Sequence, residues 1–347
     1  MERPLGLHDQ VTYPHGDRIP APGEAIRVAQ GAWWIRMPLP FALDHINLWL
    51  LEDGDGWTLV DTGYGTQVTW DLWERHLTDT LEGRPVRRVI VTHYHPDHLG
   101  SAGWLIERTR ASFWMTTGEF LSGHAAHDDT AGFDRPTGVD FFARNGLDVS
   151  RFPEKLRTAN GYRRGVPSIP KLYRRMMDGD TIRIGGHDWQ VITVFGHAPE
   201  HAALWCASKN VLISGDQVLP RITTNVGVWG NQPEGNPLEL FLTSLSKFSH
   251  LPADALVLPS HDRVFTGLHA RIAQLRQHHE ERLARLLYGC NGITAFEAIP
   301  LLFKRQLDDH QLMFAMGESI AHLHYLQHAG KVVRSEDAKG VRRFRRV

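Results

Sequence analysis

The sequence predicts an α/β protein that ends in a small winged-helix-like unit. Three observations carry this reading. Apolar runs of strand length alternate with amphipathic stretches from Ala32 to Leu258. A charged stretch with helical periodicity, Leu268–Tyr288, follows them. Beyond the stop at Gly289-Cys290-Asn291-Gly292 the style changes to two helical segments and a basic pair of strands.

Taken in order, Ala32–Met37 and Ile46–Leu51 have strand character, and the turn at Asp53–Gly56 joins the latter to Trp57–Val60 as a hairpin. Trp70–Leu81 reads as a helix, Val86–Thr92 as a strand, Ser101–Arg110 as a helix and Ser112–Thr116 as a strand. From Gly118 to Asp180 the pattern breaks down over a length too great for a plain loop, so it is expected to be a partly helical insertion that covers something. Strands are expected again at Thr181–Ile184, Asp188–Phe195, Ala203–Ala207, Val211–Ser214 and Ala255–Leu258. A loop over Gln217–Asn236 and a helix over Pro237–His250 separate the last two. Leu268–Tyr288 is expected to be a surface or linker helix. Helices near Thr294–Phe303 and His310–Gln327 and the ribbon Lys331–Val347 complete the chain. The expected division is residues 1–267, with 118–180 as a cap, and residues 268–347.

Composition narrows the function. With 42% hydrophobic and 22% charged residues, the chain of 347 residues is globular rather than disordered. The 38 basic and 39 acidic residues nearly cancel, which argues against a wholesale nucleic-acid or membrane-surface protein. Two cysteines, Cys206 and Cys290, cannot build a disulfide framework or a multi-cysteine zinc site. The N-terminal stretch has Pro, Asp and Gly where a leader needs an apolar segment, and no run of 18 apolar residues occurs, so the cytoplasm is the expected compartment. The outlier is the 21 histidines against 7 tyrosines. Histidine binds metals and titrates near neutrality.

The histidines cluster where chemistry would need them. The strand ending at Thr92 runs straight into His93-Tyr94-His95-Pro96-Asp97-His98. Extended backbone projects His93 and His95 to the same side, and Asp97 and His98 follow the turn at Pro96 toward a neighbouring position. Four metal-competent side chains in six residues at the end of a buried strand are hard to explain as packing, because clustered buried polar groups are costly without partners. Three further strand ends each supply a matching group: His197 after Gly196, Asp216 after Gly215, and His261 after Ser260.

These blocks, LVDTG (59–63), THYHPDH (92–98), GHAPEH (196–201), SGD (214–216) and SHD (260–262), resemble the metallo-beta-lactamase superfamily, in its order and over about 200 residues. The resemblance implies an αββα sandwich with two metal ions at one edge. It would assign His93, His95 and His197 to the first ion, Asp97, His98 and His261 to the second, and Asp216 as the bridge. Three histidines with an open place for water is the pattern of a catalytic site. Two Zn2+ are expected from the ligand types, with Fe or Mn as alternatives. Asp61 resembles a carboxylate that orients a ligand imidazole. Asp216 stands where some lactam-cleaving members have Cys, which points instead to the thioesterase, lactonase and nuclease branches. Glu200 departs from the family pattern, and His201 is read as structural or as a support for the ligands.

The implied reaction is hydrolysis of a small ester-like substrate, most readily a thioester of acyl-CoA or acylglutathione type, or a lactone. Asp97 is the candidate catalytic residue beyond ligation, to orient the attacking oxygen or carry a proton. A metal-dependent nuclease or phosphodiesterase and an iron persulfide dioxygenase-like oxidoreductase are the alternatives. Arg151–Arg175 holds eight basic residues against Glu154, which suggests a small anionic substrate; Arg221, Thr223 and Asn225 are further candidates to line the pocket. The ribbon Lys331–Val347 has seven basic and two acidic residues, but His310–Gln327 carries no Lys or Arg. A groove-binding helix without basic residues lacks its main driving force, so the tail is read as a packing or dimerisation element and nucleic acid is disfavoured.

Overall fold

The computed structural model describes residues 10–347. Residues 1–9, part of the stretch read as lacking a leader, lie outside the described residues. Seven strands form the first sheet in the order β1 to β7: Ile26–Ala29, Ala32–Pro38, His45–Asp53, Gly56–Val60, Val86–Ile90, Ser112–Thr116 and Arg174–Met176. The first four pair antiparallel and the rest parallel. Five strands form the second sheet, β8 (Thr181–Ile184), β9 (His187–Val194), β10 (His201–Cys206), β11 (Val211–Gly215) and β12 (Leu256–Pro259), in the order 12-11-10-9-8. Only the β11–β12 pair is parallel.

Strand alternation builds the layers. In β3, Ile46, Leu48 and Leu50 face one core while Trp49 and Leu51 face another. The second core lies between the sheets, where Trp34, Trp49, Val60 and Ile90 meet Trp189, Val191, Leu204 and Ile213. The outer face of the first sheet is covered by α1 (Gln67–Arg75) and α3 (Ala102–Thr109), which contribute Trp73 and Leu105. Between them in the chain is the single turn α2 (Pro96–Leu99). Four layers result, helices outside two sheets, as expected of the αββα sandwich.

The insertion is largely helical: α4 (Thr117–His127), α5 (Arg135–Arg144), α6 (Glu154–Thr158) and α7 (Tyr162–Gly165), before the chain returns as the edge strand β7. Helix α8 (Pro237–Ser244) covers the second sheet together with α9 (Leu268–Gly289), α10 (Ala295–Leu302) and α11 (Asp309–His328). The tail forms a third sheet, β13 (Asn291–Ile293), β14 (Val332–Glu336) and β15 (Arg342–Arg346), in the order 13-15-14.

Several expectations are corrected. Trp70–Leu81 is helical as expected, but starts earlier, at Gln67, and widens into a π-helical turn over His76–Thr80. The long helix α9 is not a surface linker: Leu268, Leu275, His279, Arg282, Leu283 and Leu286 are buried in a core shared by the second sheet and α11. Two of its charges are absorbed internally: Arg271 donates to the carbonyls of Leu219 (2.6 Å) and Ile222 (2.7 Å), and Arg282 pairs with the buried Glu318. His279 sits 3.2 Å from His322 in that interface. Helix α11 is itself mostly buried. Both cysteines are free and buried.

Candidate metal centre

Polar groups gather at one edge of the sandwich because each contributing strand closes on buried residues and the chain turns there. Strand β4 leads to Asp61, β5 leads through Val91 and Thr92 to His93–His98, and β9, β11 and β12 lead to His197, Asp216 and His261. Pro96 opens the tight turn α2, in which the amides of His98 and Leu99 both return to the His95 carbonyl at 2.9 Å. Thr62 clamps that turn from the next strand, its amide (2.9 Å) and hydroxyl (2.6 Å) donating to the His98 carbonyl.

All seven residues singled out in the sequence meet here. His93 Nε2 lies 3.0 Å from His95 Nδ1 and 3.2 Å from His197 Nε2. His98 Nε2 lies 3.4 Å from Asp216 Oδ1 and 3.6 Å from Asp97 Oδ2, and His261 Nε2 is 3.5 Å from both carboxylates. His197 Nε2 is 3.3 Å from Asp216 Oδ2, so Asp216 faces both halves of the cluster. Three groups hold their ligand atoms within 4.8 Å of one another: His93, His95 and His197; His93, His98 and Asp216; Asp97, His98 and His261.

The protonation pattern tests whether cations fit. His197 Nδ1 contacts the Asn225 carbonyl (2.7 Å) and His261 Nδ1 the His45 carbonyl (2.9 Å). A carbonyl only accepts, so both Nδ1 atoms carry the proton and both Nε2 atoms present lone pairs. His98 Nδ1 donates likewise to Asp61 Oδ2 at 2.8 Å. Lone pairs therefore converge on one another, and His98 Nε2 and Asp216 Oδ1 are buried with no hydrogen-bond partner. Ligands about 2.0–2.1 Å from a tetrahedral ion stand about 3.4 Å apart, close to the spacings found. The residues fit divalent cations, and a set of imidazole and carboxylate without thiolate suits Zn, Fe or Mn.

Electrostatics divide the cluster, and at His98 and His261 a bound cation would take the place of the proton that the carboxylates draw there. Burial, reinforced by the neighbouring imidazoles, holds His93 and His95 well below the usual histidine range. Burial acts the same way on His98 and His261, but carboxylates outweigh it and raise both: Asp61, Asp97 and Asp216 for His98, Asp216 and Asp97 for His261. Burial would raise Asp216, yet His261 and His98 hold it well below the usual carboxylate range.

Surrounding residues fix these groups in place. Asp61, in the left-handed region at φ 62°, accepts from the Thr92 amide (2.8 Å), the Thr92 hydroxyl (2.9 Å) and His98. His201 joins none of the three ligand groups; its Nε2 accepts the Asp216 amide at 3.2 Å, so it positions the backbone of that carboxylate. Glu200, the departure in the second motif, accepts the Gly118 amide at 2.7 Å and ties α4 to the His197 loop.

Sequence reasoning missed two supports. Buried Glu119 accepts from the amides of Tyr94 (2.9 Å) and Glu200 (2.5 Å), and burial pushes its carboxyl up to about 7. His45 Nε2 accepts the Asp262 amide (2.9 Å) while its carbonyl holds His261. Neither stands in a local pattern that would mark it. Arg221 is exposed and paired with Asp262 at 2.5 Å, and Asn225 serves through its backbone.

Fold and site together define a metal-dependent hydrolase of the two-sheet sandwich type. Residues 42–261 match the model of the Metallo-beta-lactamase superfamily, and residues 283–347 that of the Metallo-beta-lactamase-like, C-terminal domain. The chain belongs to the metallo-beta-lactamase superfamily. Its structure is similar to a crystal structure of a beta-lactamase domain protein from Burkholderia ambifaria, with a TM-score of 0.92 and 45% identity, covering 98% of this chain and 99% of that one. A metallo-beta-lactamase family protein from Thermus thermophilus follows at TM-score 0.80 and 30% identity, with 92% and 100% covered. Among curated relatives, a probable metallo-hydrolase, YqjP, of Bacillus subtilis (strain 168) is 25% identical over 84% of this chain and 91% of its own. A hydroxyacylglutathione hydrolase of Idiomarina loihiensis is 26% identical over 64% and 63%. Among the described residues no helix is long and apolar enough to cross a membrane.

Proposed function

We propose that the protein is a dinuclear metal-dependent hydrolase that cleaves a small thioester, with lactones as the neighbouring class. His93, His95 and His197 would hold one ion, Asp97, His98 and His261 the other, and Asp216 would lie between them. The observation that carries this reading is the convergence of imidazole nitrogens with the orphaned His98 Nε2 and Asp216 Oδ1 on one buried space. Bound there, divalent ions supply an acidified water near neutral pH and positive charge for the acyl oxygen. The protein's part is orientation and proton handling. The carbonyls of Asn225 and His45 and the carboxylate of Asp61 hold three imidazoles in the tautomer that presents Nε2. Asp97, less buried than Asp216, is placed to carry a proton toward the leaving sulfur.

A thioester is favoured because curated relatives include hydroxyacylglutathione hydrolases and because Asp216 replaces the thiolate of some lactam-cleaving members. A nucleic-acid substrate is disfavoured because basic residues of the tail are paired internally, Arg334 and Arg342 with Glu234 and Arg343 with Asp337. The test is metal analysis of the purified protein and hydrolysis of acyl-CoA, acylglutathione, lactone and phosphodiester substrates, with oxygen uptake on a persulfide as the control for oxidation. Asp216→Ala should lose metal and thioester cleavage together. Full activity with two bound ions in that variant would overturn the bridging assignment.

A further inference from the structure

We propose that a cavity between the insertion and α11 seats the anionic end of the substrate, a carboxylate or phosphate on a short apolar stem. This rests on the hydrolase reading above and extends it to the class of substrate. The cavity measures about 130 Å³, near the roughly 150 Å³ that accommodates a benzene ring. Phe142, Leu147 and Phe152 give it an apolar part, and Arg135, Arg157 and Arg164 are among the residues that line it.

Those three arginines differ from the others of the insertion. Arg151 pairs at 3.6 Å with Asp309, and so occupies the one acid lining the cavity; Arg163 lies 3.8 Å from Asp128; Arg174 stacks on Trp114 at 5.5 Å. Among the described residues no carboxylate pairs with Arg135, Arg157 or Arg164, and Arg157 commits only its Nε, to the Phe152 carbonyl at 3.2 Å. The terminal nitrogens of Arg135 and Arg164 converge over Gly161, where a Cβ would lie 3.8 Å from one and 3.6 Å from the other. Burial, and then the charge of Arg164, hold Arg135 below its usual range. Two like charges drawn together, one of them partly desolvated, are unfavourable until an anion lies between them, and planar guanidinium forks match carboxylate and phosphate oxygens.

The cavity adjoins the metal centre through packed contacts. Helix α7, which carries Arg164, presses Gly165 against the metal-binding loop so closely that a Cβ there would fall 2.8 Å from Pro96 and 2.2 Å from the Tyr64 ring. On the other wall, His310 of α11 stacks on Phe41 at 5.1 Å, and Phe41 meets the edge of Tyr64 at 5.4 Å. A substrate with its labile bond at the metal centre would run along Tyr64 and Phe41 to the arginines. Met313 and His310 come from the C-terminal unit, so that unit forms part of the substrate site.

The experiment titrates the metal-loaded full chain with 3-phenylpropionate, with phenylphosphonate and with the neutral 3-phenylpropionamide. Wild type should bind one of the anions at least about tenfold more tightly than the amide, and the better anion identifies the group. Arg135→Gln and Arg164→Gln should each remove most of that preference, whereas Arg285→Gln, on an exposed part of α9, should keep it. Arg164 is exposed, so its variant carries the test even where Arg135→Gln fails to fold. Equal binding of acid and amide would overturn the proposal. So would a preference that survives both substitutions, since it would then belong to the metal ions. A pair of thioesters ending in carboxylate or carboxamide separates this proposal from the reaction assigned above. If neither is cleaved while the anion preference holds in the titrations, the pocket stands and the thioester reading falls.

Discussion

Replacing Asp61 by Asn changes one atom's chemistry while leaving the shape and the φ of 62° tolerable, because Asn is among the residues that enter the left-handed region most readily. The carboxylate receives three donors from two sides: Oδ1 faces the Thr92 amide, and Oδ2 faces His98 Nδ1 and the Thr92 hydroxyl. An amide offers one oxygen. If it keeps the Thr92 amide satisfied, its NH2 is turned toward His98 Nδ1, which must then accept rather than donate. The ring proton moves to Nε2, where the lone pair is required. A hydrogen bond to a charged partner is worth about 1.5–3 kcal/mol, and outer partners of ligand histidines typically carry about 10–100-fold of metal affinity. Asp61→Asn should therefore weaken metal binding by about 10–100-fold with the fold retained. Competition against a chelator of known affinity, with circular dichroism as the folding control, measures this. Wild-type affinity in the variant would refute both the tautomer argument and the place of His98 among the ligands.

Three further outcomes are expected. Gly215→Ala would set a Cβ 2.2 Å from His201 Nε2 at φ 54°, so overpacking of about 1–3 kcal/mol and left-handed strain of about 1–2 kcal/mol should lower Tm clearly; an unchanged melting curve would refute the role given to His201. Burial lowers His279 to about 2 and His322 to about 3, so the unfolded chain protonates first as pH falls below 6.5. Stability should be full above about pH 6.5 and decline toward pH 5 by about 1.4 kcal/mol per pH unit for each histidine; His279→Leu should make that decline shallower, and parallel Tm profiles would argue against it. Chelation should lower Tm, because an ion that binds only the folded state stabilises it by about 4 kcal/mol at a thousand times its Kd; equal Tm with and without chelator would exclude such binding.

Much of the fold was legible because buried strands alternate or run apolar over short windows, as in Trp57–Val60 and Ser112–Thr116, which match β4 and β6 within one residue. Failures have a common physical cause. In α9, the charge of the sequence suggests a surface or linker helix, whereas carbonyls of the 217–236 loop and Glu318 of α11 satisfy Arg271 and Arg282 internally, and His279 meets His322. Strands β7 and β13, three residues each, are too short for alternation to mark them. Glu119 is one acid in an unpatterned insertion, and only folding brings the Tyr94 and Glu200 amides to it.

The sequence by itself determined which side chains could hold metal, since His, His, Asp and His at the end of an apolar strand form a local pattern. Tertiary structure decided which nitrogen each imidazole presents, because the groups that set the tautomers lie far away in the chain: Asp61 for His98, Asn225 for His197, His45 for His261. It also selected three arginines from the basic insertion for one cavity and paired others elsewhere. Net charge and spacing carry no information on pairing. Whether a guanidinium meets a carboxylate, a ring or empty space depends on elements that touch only in the folded chain.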